Sequence, residues 1–316
     1  MIIVTARQID ILLSTYNGED YIEEQLESIF AQDIHDWHIL IRDDGSTDRS
    51  VSIIKEFASR YPDKITVIVE PSGRLDIPGA FECLLENSTS PYVAFCDQDD
   101  VWHPDKLRLL RERILQLEGD SEEKTPVLVH SDLHVVNDEL VELADSFWKY
   151  QKLNPSKMQS LERLLLQNCV TGCATMVNRA LVDRALPIPK VAIMHDWWFA
   201  LFAASAGKIE GLSARTTEYR QHVNNNNGAK EWGSKHILYK LLTVSGWREN
   251  KFNLQHSLQQ AMAMLEHDGI QDSPRCVIQR YVDLHKLNWF VRRVELMRNG
   301  HFKYGFFRNI GLFLLI

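Results

Sequence analysis

Apolar and amphipathic segments alternate along the first third of the chain. Runs of apolar and β-branched residues predict strands at 9–14, 37–41, 64–69 and 91–96. Between these strands, apolar residues recur every three or four positions, which predicts three helices. Their apolar positions are Ile22, Leu26, Ile29 and Phe30, then Ile53, Ile54 and Phe57, then Phe81, Leu84 and Leu85. This alternation indicates the α/β class, with a mostly parallel sheet flanked by helices on both faces.

The pattern continues further along the chain and then changes. Further elements are predicted as a helix at 107–117, a strand at 127–130, an apolar segment at 169–177 and a helix opening at 194–199. Irregular connections are expected at 70–78, at 118–124 and in the asparagine run 224–227, which is interpreted as a mobile loop. From about Trp232 the pattern is mostly helical and more basic. We therefore predict a first domain at 1–230 and a helical C-terminal region at 231–316.

Composition and charge narrow the class of protein. The 316 residues are 45% hydrophobic and 25% charged, which is ordinary for a globular chain with a sizeable core. A net charge of −8 argues against a nucleic-acid partner. The five cysteines show no metal-ligand spacing and leave an odd thiol, which indicates a reducing compartment. No secretory signal and no membrane-spanning run is visible, so the cytoplasm is the expected location.

The C-terminus allows two interpretations. Residues 301–316 mix aromatic, basic and apolar side chains, a composition typical of a helix that lies in a membrane interface. The same composition fits a terminal helix that packs on the core. The sequence leaves both open.

Three carboxylates follow the strand at 91–96 within four residues. Asp97, Asp99 and Asp100 repel one another and resist desolvation unless a cation lies among them. At the carboxyl end of a parallel strand, such side chains point into the crevice where ligands bind. A hard divalent ion whose shell is completed by phosphate oxygens fits this pattern. A solvated acidic turn ahead of the next helix is the alternative interpretation.

Polar clusters also follow the first two strands. Residues 15–18 can bring backbone N–H groups and an aromatic ring to a base, and Asp44 can accept hydrogen bonds from a pyrimidine N3–H or a ribose hydroxyl. Because parallel strands end at one edge of a sheet, the three clusters are expected to lie together. The alternative for residues 43–46 is a tight turn with Asp48 as a helix N-cap.

Other polar residues have weaker signals. Since neither a P-loop nor a dinucleotide fingerprint is present, a bound diphosphate would need a metal and basic side chains, for which Arg74, Arg220 and His222 are candidates. For each of them taken alone, the sequence favours the alternative, which is a surface charge or a satisfied core histidine. Asp196, near a predicted helix start, is the best isolated candidate for a general base, with helix capping as the alternative.

One further metal site is conceivable. His130, Asp132 and His134 fall on one face of a strand, which is a possible metal site for a hydrolase. This spacing occurs often by chance.

Taken together, these motifs resemble the inverting glycosyltransferases of family two, which have a GT-A fold. The segments that stand in the family's order are 14–18, 42–48 and 97–102. Further segments are similar to the pattern of its bacterial rhamnosyltransferase branch, namely 171–173, 195–198 and 219–222. The resemblance covers roughly residues 9–228.

The resemblance implies roles for individual residues. Asp97 and Asp99 would form a DxD motif in which Asp99 binds Mg²⁺ or Mn²⁺ and Asp97 contacts both the nucleotide and the ion, with Asp100 assisting. His222 would approach the diphosphate and join the metal ligands, and Asp196 matches the family's catalytic base. The residues expected to bind the nucleotide sugar are Thr15, Tyr16, Asn17, Asp44, Arg74 and Asp97. The loop around Arg74 departs from the family's Asn/Gly-rich version.

The implied reaction is sugar transfer with inversion. Asp196 would remove a proton from an acceptor hydroxyl, which attacks the anomeric carbon opposite the diphosphate. The implied donor is dTDP-L-rhamnose. The implied acceptor is a lipid-linked saccharide of cell-surface polysaccharide synthesis, at the inner face of the cytoplasmic membrane, where the chain would be peripheral. No nucleic-acid partner is expected, and homo-oligomer formation is left open.

Two alternative functions use the same features. A metal-dependent nucleotidyltransferase or phosphohydrolase would use the same acidic strand end, and it would release phosphate or pyrophosphate instead of transferring sugar. A non-catalytic nucleotide-sugar binder would need neither Asp99 nor Asp196, yet the chain carries both.

Overall fold

A computed structural model describes residues 8–69, 73–119, 125–223, 225 and 228–316 of the chain. The irregular connections predicted at 70–78 and 118–124 lie partly outside these residues. The mobile loop predicted at 224–227 lies outside them except for Asn225.

One mixed sheet runs through the described residues. Its strands are β1 (Ile9–Thr15), β2 (Trp37–Asp43), β3 (Ile65–Ile68), β4 (Tyr92–Cys96), β5 (Val101–Trp102), β6 (Val127–Asn137), β7 (Glu142–Ala144), β8 (Thr175–Asn178) and β9 (Lys208–Gln221). Their order in space is β3-β2-β1-β4-β8-β6-β9-β5, with β7 paired to β6. All four strands predicted in the first third of the chain are present.

Strand direction divides this sheet. The pairs β1–β2, β1–β4 and β2–β3 are parallel, as strand–helix alternation predicts. Strand β8 runs antiparallel to both of its neighbours, β4 and β6. Beyond it, β6 and β9 pair in parallel again. The direction therefore reverses next to β4, the strand that carries the acidic segment.

Helices connect the strands and form the C-terminal region. In the first 230 residues they are α1 (Ile22–Phe30), α2 (Ser50–Arg60), α3 (Ile77–Glu86), α4 (Lys106–Glu118), α5 (Phe147–Tyr150), α6 (Leu161–Leu164), α7 (Arg179–Ala185) and α8 (His195–Ala206). The C-terminal helices are α9 (Ser234–Leu242), α10 (Val244–Glu266), α11 (Asp272–Asp283), α12 (Trp289–Arg298) and α13 (Phe306–Leu315). Short 3₁₀ segments lie at Pro155–Lys157, Gly172–Ala174 and Leu284–Lys286.

Helices cover both faces of the sheet. Successive residues of a strand point to opposite faces, so Ile11 and Leu13 pack into one buried cluster with Leu26 of α1. Leu12 packs into a second cluster with Phe199 of α8. The burial of both faces explains why the strands are apolar throughout instead of alternating with polar residues.

The C-terminal helices share the second cluster. Met264, Tyr281 and Leu312 are buried there beside residues of the sheet, so the hydrophobic core continues across the predicted boundary at 230. Helix α13 nevertheless leaves Phe306 74% exposed and Leu314 54% exposed. Helix α13 therefore packs on the core, as one interpretation of the C-terminus expects, and also exposes apolar side chains, as the membrane-interface interpretation expects. No helix in the described part of the chain has both the length and the apolar character needed to cross a membrane.

Candidate active site

The side chain of Gln98 joins the loops that follow β1 and β4. Its Oε1 accepts hydrogen bonds from Thr15 Oγ1 at 2.6 Å and from Tyr16 N at 2.8 Å, and its Nε2 donates to Tyr16 O at 3.2 Å. Gly18 leaves room for this side chain, because a Cβ at residue 18 would lie 2.5 Å from Gln98 Oε1. The polar clusters of these two strand ends are therefore in direct contact.

Asn17 connects the loop after β1 to the loop after β2. Its φ of 47° is left-handed, a conformation that asparagine tolerates better than most residues. Its backbone N–H donates to Ser46 Oγ at 2.8 Å, and its Oδ1 accepts from Thr47 N at 2.8 Å. Asn17 thus has a structural role between two loops, and its predicted contact with the nucleotide stays a prediction.

The turn after β2 is held by its own carboxylates. Asp43 Oδ2 accepts from Gly45 N and Ser46 N at 3.0 and 2.9 Å. Asp48 Oδ1 accepts from Ser50 N at 3.0 Å, where α2 begins. The tight-turn interpretation therefore describes Asp43, whereas Asp44 points elsewhere. Asp48 is not the N-cap of α2 as that interpretation expected, because Arg49 occupies the N-cap position and no side chain caps the helix.

Asp44 is buried among basic side chains. Its Oδ1 accepts from Arg42 Nη1 at 2.5 Å and from Leu75 N at 2.8 Å. The Nε atom of Arg74 lies 3.8 Å from Asp44 Oδ2, and the Arg74 guanidinium lies 3.9 Å from the centroid of the Tyr16 ring. Three of the predicted nucleotide-binding residues, Tyr16, Asp44 and Arg74, thus form one cluster.

The acidic segment after β4 is electrostatically strained. Ligand atoms of Asp97, Asp100 and Cys173 all lie within 4.8 Å of one another. Burial, followed by the charges of Asp100, Asp99 and Asp196, raises the pKa of Asp97 well above its usual range. Burial and the charge of Asp99 raise the pKa of Asp100 to about 7. The ionised form of this cluster therefore needs a compensating positive charge.

A fully buried lysine supplies part of that charge. Lys106, in the first turn of α4, donates to Cys173 O and, at 2.7 Å, to Thr217 Oγ1, and its ammonium lies 3.9 Å from the Trp102 ring centroid. Burial lowers the pKa of Lys106 to about 8, while the neighbouring acidic groups oppose this shift. Lys106 therefore supports the acidic segment from inside the protein.

Asp99 contacts the segment that follows β9. Its Oδ2 lies 2.8 Å from His222 Nε2 and 3.5 Å from Asn225 Nδ2. The hydrogen bond to Asp99 raises the pKa of His222, and the His222 ring stacks on Tyr21 with the centroids 4.7 Å apart. Two of the predicted metal ligands, Asp99 and His222, are thus brought together, beside the cluster that contains Asp97.

Arg220, a candidate for the diphosphate, has other partners. Its side chain donates to Asp99 O at 2.9 Å, to Asp138 O at 2.5 Å and to the Glu24 carboxylate. Its backbone N–H donates to Asp100 Oδ1 at 3.2 Å. With its guanidinium buried and engaged in this way, Arg220 holds the acidic segment instead of facing a ligand.

Asp196 lies buried in the first turn of α8. Its Oδ2 accepts from Gly172 N at 3.0 Å, and its Oδ1 accepts from Trp197 N at 2.5 Å and from Asn168 Nδ2 at 3.4 Å. Burial raises the pKa of Asp196 to about 7, although the two backbone hydrogen bonds act in the opposite direction. A carboxylate whose pKa lies near neutrality suits a general base. The helix-capping alternative is not observed, because the N-cap residue of α8 is Met194 and no side chain caps this helix end.

The surroundings of His195 do not suit a general base. Both of its ring nitrogens are buried without a hydrogen-bond partner among the described residues, and burial lowers its pKa to about 3. The ring stacks on Phe81 with the centroids 3.8 Å apart. A Cβ at Gly172 would lie 2.8 Å from His195 Nε2, so the glycine allows the turn to pass over this ring.

The histidines of β6 do not combine into a metal site. The β6–β9 register shifts on either side of Asp132, and each of the three side chains has its own surroundings. Asp132 accepts from Ser146 Oγ at 2.5 Å and from Trp148 N at 3.1 Å. His134 lies 2.8 Å from carboxylate oxygens of both Glu142 and Glu218, whereas His130 is buried and burial lowers its pKa to about 3.

The residues at the end of β4 fit a hard divalent cation. Asp100 Oδ2 is buried without a hydrogen-bond partner among the described residues, and the neighbouring Asp97 is held near two other carboxylates. Oxygen ligands of this kind suit Mg²⁺ or Mn²⁺, whereas a thiol does not. Burial raises the pKa of Cys173 well above its usual range, which keeps it a thiol and outside the ligand set.

Sequence patterns did not identify two residues of this site. Gln98 stands between the acidic residues and has no charge, so only the contact of two strand ends reveals its role. Lys106 stands at an ordinary helix start, where a lysine is usually exposed. A lysine placed soon after a carboxylate cluster, on the apolar side of an amphipathic helix, is the signal that was available.

Comparison with known proteins gives the family context of this geometry. Residues 10–184, more than half of the chain, match the model of glycosyl transferase family 2. The chain is 30% identical to the glycosyltransferase alr2836 of Nostoc sp. over 227 residues, which are 70% of this chain and 66% of that protein. It is 26% identical over 231 residues to the dTDP-rhamnosyl transferase RfbG of Shigella flexneri, covering 69% of this chain and 74% of the relative. The chain thus spans about two thirds of the first relative's length.

Solved structures show the same architecture. Residues 1–349 of TarS from S. aureus superpose with a TM-score of 0.54 at 17% identity, covering 92% of this chain and 78% of that one. The complex of that fragment with UDP-GlcNAc gives the same TM-score at 16% identity. At such identity the likeness concerns the fold alone, and it confirms the GT-A fold expected from the sequence.

Proposed function

The chain belongs to glycosyl transferase family 2, and on that premise we propose that it is a metal-dependent inverting glycosyltransferase. It would move a sugar from a nucleotide-sugar donor to a hydroxyl of a lipid-linked saccharide. The alternatives, a nucleotidyltransferase, a phosphohydrolase or a non-catalytic binder, gain no support from family membership.

The observation that carries the proposal is the environment of Asp196. Its pKa of about 7 leaves a large fraction ionised near neutral pH, and its carboxyl group is basic enough to accept a proton as a bond forms. The charge of Asp196 also contributes to the raised pKa of Asp97, so the general base and the acidic segment share one electrostatic environment.

The chemistry then follows from the carboxylate. Asp196 accepts the proton of the acceptor hydroxyl while the oxygen forms a bond to the anomeric carbon. The bond from that carbon to the diphosphate oxygen breaks on the opposite face, and the nucleoside diphosphate leaves with the electron pair. One base and one displacement invert the configuration, and no covalent enzyme intermediate is needed.

The donor would be held by the clustered strand ends. Thr15, Tyr16 and Asn17 would contact the base and ribose, and Asp44 Oδ2 would accept a hydrogen bond from either. Arg74 is mostly exposed and engages Asp44 only at 3.8 Å, so its guanidinium is available to the diphosphate. Asp97 would contact the nucleotide from the end of β4.

Asp97 and Asp99 would hold a divalent cation, and His222 would join the ligand set when the ion displaces its hydrogen bond to Asp99. A bound Mg²⁺ or Mn²⁺ would neutralise the charge that develops on the leaving diphosphate. His222 is hydrogen-bonded to Asp99, and the positive charge of the buried Lys106 partly offsets the negative charge of the carboxylates.

The donor sugar we propose is L-rhamnose, carried on dTDP. The relationship to RfbG of Shigella flexneri, a dTDP-rhamnosyl transferase that aligns with 69% of this chain, supports this choice. Exposed aromatic and aliphatic residues on α12 and α13, such as Trp289, Phe290 and Phe306, support a peripheral position at the membrane that carries the acceptor.

A donor screen tests the proposal. Thermal unfolding would be followed with Mg²⁺ or Mn²⁺ and a panel of nucleotide sugars, and dTDP-L-rhamnose is expected to raise the melting temperature most. Transfer of rhamnose to a lipid-linked acceptor would then be measured for the wild-type chain and Asp196→Asn. Release of phosphate or pyrophosphate without sugar transfer would contradict the proposal.

A further inference from the structure

A cavity that is separate from the candidate active site lies between the segment after β9 and the C-terminal helices. Its volume is about 440 Å³, within the range of small-molecule sites. Its walls come from residue 225 and residues 228–232, from helices α9 and α10, and from residues 303–315. The described residues that line it include none of those assigned above to the donor, the ion or the general base.

This cavity adjoins the candidate active site on two sides. Asn225 lines it, and Asn225 Nδ2 lies 3.5 Å from Asp99 Oδ2. Gln167 lines it too, and the next residue, Asn168, donates to Asp196 Oδ1 at 3.4 Å. A ligand in the cavity would therefore lie beside two residues, Asn225 and Gln167, that connect it to the acidic segment and to the surroundings of Asp196.

The cavity carries an excess of positive charge. Four cationic side chains line it, against one carboxylate: Lys230, Lys240, Lys303 and Arg308, with Glu249. Glu249 is already paired with Lys240 at 2.6 Å. Among the described residues, no carboxylate lies within 4.0 Å of the cationic atoms of the other three.

The surroundings of Arg308 and Lys303 do not neutralise their charge. Arg308 donates to carbonyl oxygens, including Gln151 O at 2.7 Å, and its guanidinium lies 3.6 Å from the Trp232 ring centroid. Burial and the charges of Lys240 and Arg308 lower the pKa of Lys303 to about 8. Because desolvated cations without anions are costly, an anion bound among them would be strongly favoured.

Part of the cavity wall is apolar. Leu254, Phe307, Leu312 and Leu315 line the cavity. On the same helix, α13, the exposed side chains of Phe306 and Leu314 extend the apolar surface outward. Cations beside a hydrocarbon surface match a ligand that has a phosphate head and an apolar chain.

We propose that this cavity binds the phosphate or diphosphate of an acceptor carried on a hydrocarbon chain. The cations would contact the phosphate, the apolar residues of α13 would contact the chain, and the attached saccharide would extend toward Asp196. This inference rests on the proposed glycosyltransferase function, because it identifies the acceptor end of the same site.

Calorimetry on the full chain tests the cavity without sugar chemistry. With EDTA present and no donor, inorganic pyrophosphate and farnesyl diphosphate would be titrated into the wild type, Lys230→Gln, the double variant Lys230→Gln/Lys303→Gln, and Lys55→Gln. Lys55 is an exposed lysine on α2 and serves as the matched control. Lys230 is exposed, so its variant stays informative if the double variant fails to fold, which its melting temperature would show.

The expected result has three parts. Farnesyl diphosphate binds at least about tenfold more tightly than pyrophosphate, because its chain removes apolar surface from water. The double variant weakens both ligands by about tenfold or more, Lys230→Gln weakens both by a smaller factor, and Lys55→Gln leaves both unchanged. Equal affinity of the two ligands would overturn the hydrocarbon part of the proposal, and unchanged affinity in the lysine variants would overturn the whole.

Transfer assays separate this inference from the function on which it rests. In the double variant the acceptor KM should rise about tenfold while the donor KM stays unchanged. If transfer occurs and the acceptor KM does not move, the subsite is wrong and the function stands. If no sugar is transferred by the wild type but prenyl diphosphate binding still depends on these lysines, the proposed function fails and the cavity remains a phosphate site.

Discussion

His222 Nε2 lies 2.8 Å from Asp99 Oδ2, although the two residues are 123 positions apart in the chain. Strand β9 ends at Gln221, so His222 is delivered to the acidic segment from the part of the sheet beyond β8. The carboxylate proposed to hold the metal is therefore oriented by a residue from the other end of the sheet.

Replacing His222 should weaken the metal requirement of the reaction. In His222→Ala, the concentration of Mg²⁺ or Mn²⁺ needed for half-maximal transfer is expected to rise about 10- to 100-fold, because the ion loses a proposed ligand. His256→Ala is the matched control, since His256 lies on α10 and bonds to Phe252 O. A metal dependence unchanged from the wild type would exclude His222 from the site.

Removing the carboxylate of Asp196 should separate binding from chemistry. Asp196→Asn is expected to lower the transfer rate about 10²- to 10⁴-fold, because the amide cannot accept the acceptor's proton. Donor affinity, measured by calorimetry, should stay within about twofold. The exposed surface residue Asp268 provides the control Asp268→Asn. Equal losses in donor affinity and in rate would contradict the role of a general base.

The rate of transfer should follow the ionisation of Asp196. Its pKa is raised to about 7, and only the deprotonated form can accept a proton. The rate is therefore expected to rise about tenfold per pH unit below pH 6 and to level off above pH 8. A pH–rate profile at saturating donor and metal would measure this. A profile already flat from pH 5 upward would mean that the rate-limiting base is a group with an ordinary carboxyl pKa.

Gly18 and Gln98 should act as one unit. Gly18→Ala would push against Gln98 Oε1, and Gln98→Ala removes the bonds to Thr15 and Tyr16. Each is expected to weaken donor binding about five- to tenfold, the effect of about one lost hydrogen bond. The double variant should bind no more weakly than Gln98→Ala, because the clash is then gone. Gly233→Ala is the control, since its Cβ would meet no atom closer than 3.5 Å. Fully additive losses would refute the coupling.

The exposed side chains of α13 should mediate membrane association. Deleting residues from about 300 would also remove Leu312 and Ile316 from the core, so point variants are the sharper test. Phe306→Glu with Leu314→Glu is expected to reduce binding to anionic lipid vesicles about tenfold or more, because both side chains lose favourable apolar burial. Donor hydrolysis should be unaffected. Val141→Glu, an exposed apolar position between β6 and β7, is the control. If the double variant sediments with the vesicles as strongly as the wild type, the exposed side chains of α13 do not mediate membrane association.

The sequence predicts the sheet up to β4 well because local signals suffice there. Each of the four strands is a short apolar run, and parallel pairing follows from the helices between them. The pairing of β6 with β9 is different. It joins residues about 80 positions apart in a register interrupted near Asp132, and no local pattern encodes it.

The same contrast holds for the site. Asp97, Asp99 and Asp196 stand out in the sequence as carboxylates at element ends. Arg220 is a candidate for the diphosphate in the sequence because its charge is visible there, whereas its burial against Asp99 O and Glu24 is not. Lys106 does not stand out in the sequence, because lysine is usually a surface residue. Only the structure shows that this lysine is buried beside the acidic segment.

The reversal of strand direction beside β4 separates the residues proposed to bind the donor from those proposed to bind the acceptor. Every side chain proposed to choose the nucleotide precedes residue 98, and every group proposed to receive the acceptor follows residue 166. Relatives could therefore exchange segments between residues 98 and 166, and donor preference and acceptor preference should then be inherited separately. A hybrid enzyme would use the activated sugar of one parent and the lipid-linked acceptor of the other.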